Sequence, residues 1–210
     1  MTISLEGDVL MCMQTPWEKT LDFHGHVCPG LVIGFRAAEA GMREIGLTSG
    51  DENLVAVVEN DACGVDAIQV VTGCTLGKGN LLLRDYGKHV YTLMRRDTGE
   101  FVRVAVKPAA MSAPAELRAL REKAESGVLT TEEQRRMLRL REQEADRLLE
   151  TPEEELLVIR KGTGEVPGRA KVMPTVVCSR CGEGVMETRA RVQAGKIVCP
   201  SCFADPNAQS

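Results

Sequence analysis

Aromatic residues are scarce in this 210-residue chain: one Trp, two Tyr and four Phe. That supply is too thin for a platform on which successive single-stranded bases stack. No apolar run approaches the roughly 20 residues that a membrane-spanning helix needs. No signal-like stretch opens the chain, so a soluble, cytoplasmic protein without a membrane partner is expected. Neither sign of charge dominates. Lys plus Arg is 26 against 30 for Asp plus Glu, a formal net charge of -4. Such a balance argues against a broad non-specific grip on nucleic acid, although it leaves room for a small basic module. Twenty glycines without a three-residue period exclude a collagen-like chain. The 43 % apolar content supplies a packed core and argues against global disorder.

Cysteine is what the chain has in quantity: eight, beside only three histidines. In an exported chain eight would suggest four disulfides, but here the spacing points to metal. Cys178-Ser-Arg-Cys181 and Cys199-Pro-Ser-Cys202 are two Cys-x-x-Cys pairs with 17 residues between them. A tight Cys-x-x-Cys turn aims two thiolates at one ion, and two such turns close a tetrahedral shell with no open position. Structural Zn2+ is the expected occupant of Cys178, Cys181, Cys199 and Cys202, folding a module too small for its own core. Rubredoxin-like iron and a pair of redox disulfides are the competing readings. Arg180, Arg189, Arg191 and Lys196 lend this segment a mild positive face, which a solvated surface explains as well as nucleic-acid contact.

Three regions separate by pattern: a glycine-bearing apolar segment at 1–112, a charge-dense helical arm and hinge at 113–175, and the four-cysteine segment at 176–210. In the first, Thr15-Pro16-Trp17-Glu18 carries the cap, first-turn proline and capping box of a helix start. Leu31, Phe35, Ala38, Met42 and Ile45 make the apolar stripe of a second helix that Gly46 ends. Strands are expected at 54–58, 90–94 and 101–106, with a hairpin at Asp97-Thr98-Gly99, and a helix at about 65–71. The expected fold is an α+β core domain with an antiparallel or mixed sheet and packed helices. In the arm, Leu117, Leu120, Ala124 and Val128 keep a helical rhythm. Thr130 and Glu133 make another capping box, and Leu138, Ala145 and Leu149 share one face. Residues 156–159 fit a helix or a strand equally well.

His24, His26 and Cys28 alternate in a glycine-flanked loop, so an extended backbone sets them on one side. The loop ends at the start of a predicted helix, where unpaired N–H groups favour a thiolate. Cys63 occupies the same kind of position, between a strand and a helix. If the two segments meet, two imidazoles and two thiolates become available to one ion, Zn2+ or Fe. Asp61 and Asp66 then serve as supporting groups or proton acceptors. Cys12 reads as a small buried hydrophobe, Cys74 as core or ligand contact, and His89 as a satisfied core or interface histidine. Lys78 sits among glycines, but the stretch misses the phosphate-loop spacing; contact with a ligand is the most it suggests.

Phe23-His24-Gly25-His26-Val27-Cys28-Pro29-Gly30, the Glu59–Gln69 stretch around Asp61, Cys63 and Asp66, and Thr72-Gly73-Cys74-Thr75-Leu76-Gly77 resemble the FmdE family of formylmethanofuran dehydrogenase components. The resemblance runs from about Trp17 to Val106, and the terminal cysteines match the finger of some members. It implies an intertwined α+β homodimer, a treble-clef finger, and a metal-binding or active-site cleft at the histidine–cysteine motifs. It also implies partner redox or dehydrogenase subunits, in keeping with a family named from a methanogen oxidoreductase complex. Nothing in the chain resembles that complex's molybdopterin-binding or ferredoxin-like subunits. The terminal pairs also resemble the finger of small RNA-polymerase-binding regulators, whose long acidic-tipped coiled coil has no clear counterpart here.

Three functions are therefore carried forward. The first is a metal-dependent accessory or catalytic protein of anaerobic one-carbon or redox metabolism. The second is metal-free chemistry, with Cys28 as nucleophile and His24 or His26 as base. The third is a non-enzymatic interaction or regulatory protein that binds partners through the arm and finger.

Overall fold

The computed structural model describes residues 14–169 and 171–205; Cys12 lies outside them. Helix α1 (Pro16–His24) starts as its sequence dictates, with Thr15 accepting from the Glu18 N–H and Glu18 reaching back to the Thr15 N–H at 2.7 Å. Gly25 ends it at φ +86°, a conformation that glycine adopts without strain. Helix α2 (Pro29–Ile45) follows at once, with Cys28 as its N-cap and Gly46 as its stop. Its buried face is wider than one stripe. Val32, Ile33, Ala37 and Ala40 join the expected positions because other elements cover it on several sides.

Strand β1 (Leu54–Val58) is buried along its whole length, as a continuous apolar run requires of a strand covered on both faces. It runs into α3 (Gly64–Thr72), whose N-cap is Cys63. Strands β2 (Leu81–Leu83), β3 (Val90–Arg95), β4 (Glu100–Val106) and β5 (Leu157–Thr163) complete a mixed sheet in the order β2-β1-β3-β4-β5. Only the β1–β2 pair is parallel. The α+β layer fold is thus as expected, with the three-residue β2 added.

Helices α4 (Ala115–Glu125), α5 (Thr131–Glu150) and α6 (Glu153–Leu156) form the charged middle of the chain. Here the expected helix faces need correction. Leu140, Ala145 and Leu148 are the buried apolar residues of α5, whereas Leu138 is 54 % exposed. Glu144 is buried on the same face and interrupts the apolar rhythm; its carboxylate is held by both the Nε and Nη2 of Arg147. Val128 lies beyond the end of α4 and is exposed. The ambiguous 156–159 stretch splits into the end of α6 and the start of β5.

Contacts divide the chain between Gly168 and Arg169. Most of the 113–175 segment, expected as a charged helical arm and hinge, therefore falls in the first unit. The reasons are direct: β5 pairs along β4 from Leu157 to Thr163, and α5 lies against α2. Arg36 of α2 also donates to the Leu148 and Leu149 carbonyls at 2.9 and 2.7 Å, satisfying the end of α5. The second unit consists of the hairpins β6 (Thr175–Val177)–β7 (Gly184–Met186) and β8 (Arg191–Gln193)–β9 (Lys196–Val198), followed by α7 (Pro200–Ala204).

Candidate metal centre

The first-unit site is made by two helix starts brought together. Helices α2 and α3 cross so closely that a Cβ on Gly34 would lie 2.3 Å from the Gly64 Cα. This contact sets the N-caps Cys28 and Cys63 side by side, with the Cys63 side chain lying close against Gly30. Gly64 is itself constrained from below, since a Cβ there would meet the buried Tyr91 hydroxyl at 2.2 Å. Burial pushes the Tyr91 phenol up to about 12, so it stays neutral.

Donor atoms of His24, His26 and Cys28 all lie within 4.8 Å of one another. Cys28 Sγ stands 3.7 Å from His24 Nε2 and also accepts from the Leu31 N–H at 3.4 Å. The His24 and His26 rings face each other with centroids 4.5 Å apart. Asp66, in the first turn of α3, meets His24 Nδ1 at 2.7 Å. An ionised carboxylate only accepts, so this contact fixes the proton on Nδ1 and leaves the Nε2 lone pair toward Cys28. Tetrahedral zinc with sulfur at ~2.3 Å and nitrogen at ~2.05 Å separates those two donors by about 3.6 Å. The observed 3.7 Å fits, and the carboxylate–histidine arrangement is the one that steadies metal ligands. Cys63 is adjacent but outside the mutually close trio. Desolvation, and then the neighbouring Cys28, raises its thiol pKa.

The second-unit site is more regular. Cys178 and Cys181 occupy the β6–β7 turn, and Cys199 and Cys202 open α7, the knuckle-and-helix placement expected of the finger. All four sulfurs lie within 4.8 Å of one another, and the Cys181–Cys199 pair is at 3.9 Å. Four thiolates at ~2.3 Å from one tetrahedral ion would be about 3.8 Å apart. Backbone N–H groups of Cys181, Cys199 and Arg180 draw Cys178 down to about 6. The Cys199 side chain pushes Cys202 up to about 12. Sulfurs this close cannot all ionise without a countercharge, and a divalent cation supplies one. The set is consistent with structural zinc.

The remaining candidates fall elsewhere. Cys74 is fully buried in the core, its thiol 3.5 Å from the Leu54 carbonyl. Lys78 is exposed and donates to the Gly73 carbonyl at 3.0 Å, closing the loop ahead of β2. His89 departs from expectation: its buried Nδ1 has no partner among the described residues, and burial lowers its pKa. Asp61 is exposed at the mouth of a cavity of about 370 Å³ that His24, Cys63 and Asp66 also line. The family resemblance implies a cleft at the histidine–cysteine motifs, and His24, Asp61, Cys63 and Asp66 do line this cavity; its apolar walls, from β1, α3, β2 and the loop ahead of β2, are what no local motif announces.

The family profile described as "FmdE, Molybdenum formylmethanofuran dehydrogenase operon" matches residues 23–158. A second profile, the prokaryotic dksA/traR C4-type zinc finger, matches residues 168–207. A probable S-adenosyl-L-methionine-binding protein of Archaeoglobus fulgidus is 33 % identical over 187 residues, covering 82 % of this chain and 49 % of that protein. The chain thus spans about half the length of this curated relative. A crystal structure of an FmdE-like protein of the tungsten formylmethanofuran dehydrogenase type, from Syntrophus aciditrophicus, superposes with a TM-score of 0.57 at 25 % identity. That likeness covers 91 % of this chain and 92 % of the other. The profile match extends beyond the motif-bearing stretch through α4, α5 and α6 into β5, in line with the first structural unit. The chain belongs to the FmdE family, with a C4-type zinc-finger segment following the family's domain.

Proposed function

We propose that the chain is a metal-binding accessory or catalytic component of anaerobic one-carbon or redox metabolism, working through the first-unit site. The observation that carries this reading is the aligned set Cys28–His24–Asp66, with His26 beside it. His24 through Nε2, His26 and Cys28 would hold Zn2+ or Fe, with Cys63 beside them but outside the close trio. A three-donor site leaves a position at which the ion would polarise a carbonyl or bind a thiol or water. Asp66 holds the His24 ring in its ligating tautomer, and Asp61 is a proton acceptor at the cavity mouth. A homodimer and a partner redox or dehydrogenase subunit in the cytoplasm complete the proposal, which rests there on family membership.

The same distances favour a second reading. Cys28, His24 and Asp66 form a nucleophile, base and orienting carboxylate in series, which is the arrangement of metal-free cysteine chemistry. Elemental analysis of protein purified without oxygen and without a nickel column separates the two. Two metals per chain, falling to one in Cys28→Ser, support the metal site. One metal per chain, with Cys28 alkylation indifferent to chelator, leaves the nucleophile. The name of the Archaeoglobus relative makes S-adenosyl-L-methionine a further molecule to titrate.

A further inference from the structure

The cavity beside the first-unit site has a chemistry of its own. Its volume of about 370 Å³ lies in the range of small-molecule pockets. Val58, Val65, Leu76, Leu81 and Leu83 supply its apolar surface. Two of them are left uncovered: Leu76 is 63 % exposed and Leu83 48 %. Large aliphatic side chains gathered at the rim of a cavity gain most when an apolar body covers them.

The polar side is one-signed. Asp61 and Asp66 line the cavity, and among the described residues no Lys or Arg does. The Lys78 ammonium, the nearest in sequence to the Leu76 rim, is turned to the Gly73 carbonyl. Asp61 makes no hydrogen bond or ion pair among the described residues, and the Gln69 side-chain amide makes none either. By contrast, the Asn60 amide is spent on the protein: Nδ2 donates to the Lys88 carbonyl at 2.6 Å, and Oδ1 accepts from the Ala62 N–H at 3.1 Å. That leaves a carboxylate and an amide facing an apolar cleft, with the His24–Asp66 pair and the Cys63 thiol as further lining. Low-dielectric walls concentrate the field of such carboxylates and raise the local concentration of cations.

We propose that this cavity is a binding site for a small cationic molecule, an apolar body bearing an ammonium or sulfonium head, whose charge is held at Asp61. The inference deepens the proposed function and rests on the first-unit site being the functional centre. The cavity then presents a molecule of that class to His24, Asp66 and Cys63. At the Asp61 end an anionic head is disfavoured, because both carboxylates repel it and no guanidinium or ammonium of the described residues lines the cavity to receive it.

The test uses the full chain and three near-isosteric probes: 2-phenylethylamine, 2-phenylethanol and phenylacetate. Calorimetric or ligand-observed NMR titration is expected to rank amine above alcohol above acid, with the amine roughly tenfold tighter than the alcohol. Asp61→Asn should erase that advantage without changing the affinity for the alcohol. Leu83→Trp, at a half-exposed rim position, should block all three. Equal affinities, tighter binding of the acid, an amine preference that survives Asp61→Asn, or no binding of any probe would each overturn the proposal. Metal content measured on the same samples keeps the two readings apart. A charge-selective cavity with one metal per chain sinks the core metal and leaves the cavity, and the converse result does the reverse.

Discussion

The chain's two ligand clusters use overlapping chemistry in opposite circumstances. In the second unit the cluster is most of the core: Cys178, Cys199 and Cys202 are buried with Val198, and Cys181 and Val185 pack against them. Its strands are three residues each, too short to hold one another in water. In the first unit the site lies at the edge of a large core built from α2, the sheet and α5, which needs no ligand to cohere. The lesson concerns what the metal is for. Where the ligands are the core, binding energy goes into folding. Where the fold already exists, an ion bound as proposed would be free to take an incomplete shell, and an incomplete shell is what chemistry requires.

The largest effect that would break this comparison is therefore expected in the finger. Cys178→Ser should abolish zinc binding there and unfold the β6–β7 and β8–β9 hairpins and α7 altogether. Heteronuclear NMR should show those amides collapse to random-coil shifts while β1, β3 and β4 keep theirs. Cys28→Ser should do the opposite. A serine still caps α2, so stability changes by less than about 1 kcal/mol while the core metal is lost. If both substitutions cost the same stability, the distinction between folding metal and working metal fails.

Next in size is the helix crossing. Gly34→Ala drives a methyl into the Gly64 backbone, which cannot retreat because Tyr91 lies beneath it. Overpacking of this kind costs about 1–3 kcal/mol, and it should separate the Cys28 and Cys63 N-caps. A lowered melting temperature together with loss of core metal, and unchanged finger zinc, is the expected pattern. Asp66→Asn should be milder. The fold is untouched, but an amide no longer fixes the His24 tautomer, and the core metal affinity should fall about 10–100-fold in competition with a chelating dye. Asp66→Glu recovering part of that affinity would separate positioning from mere packing.

Much of this is legible along the chain, and for identifiable reasons. Caps and stops depend on two or three adjacent residues, so Thr15–Glu18, Gly46 and Thr130–Glu133 fix helix ends wherever they occur. The paired cysteines announce their four-sulfur cluster by spacing alone. The His24-x-His26-x-Cys28 motif names three donors that do converge, but not through an extended loop: His24 ends α1 and Gly25 turns left-handed. What stays hidden depends on tertiary company. The strand β2 is three leucines that become a strand only because β1 offers an edge. The α5 face misleads because a buried Glu144, neutralised by Arg147, stands where an apolar residue is sought. Cys63 is readable as a helix start, but its place just outside the trio depends on the angle at which α3 crosses α2. The polar side of the cavity is marked by the histidine–cysteine motifs, but its apolar walls have no local signature.

The smallest effect is expected where neither metal nor core is engaged, at the α4–α5 turn. Glu133 accepts from the Thr130 N–H at 2.9 Å and pairs with Lys123 of α4, and these contacts draw its carboxyl down to about 2 from an ordinary value near 4.5. The sign follows from that direction. The unfolded chain takes up the proton first, so the contribution is fully present above about 4.5 and fades as pH falls toward 2. The carboxyl is only partly buried and salt screens the pair, so the effect amounts to a small shift in melting temperature. The finger should come apart earlier on the same descent, because its thiolates must stay deprotonated to hold zinc. Melting curves of the wild type and Glu133→Gln should therefore differ slightly at pH 6 and converge below pH 2, with zinc released before they meet. Convergence before zinc release would mean that α4 and α5, rather than the finger, are the first part of the molecule to yield to acid.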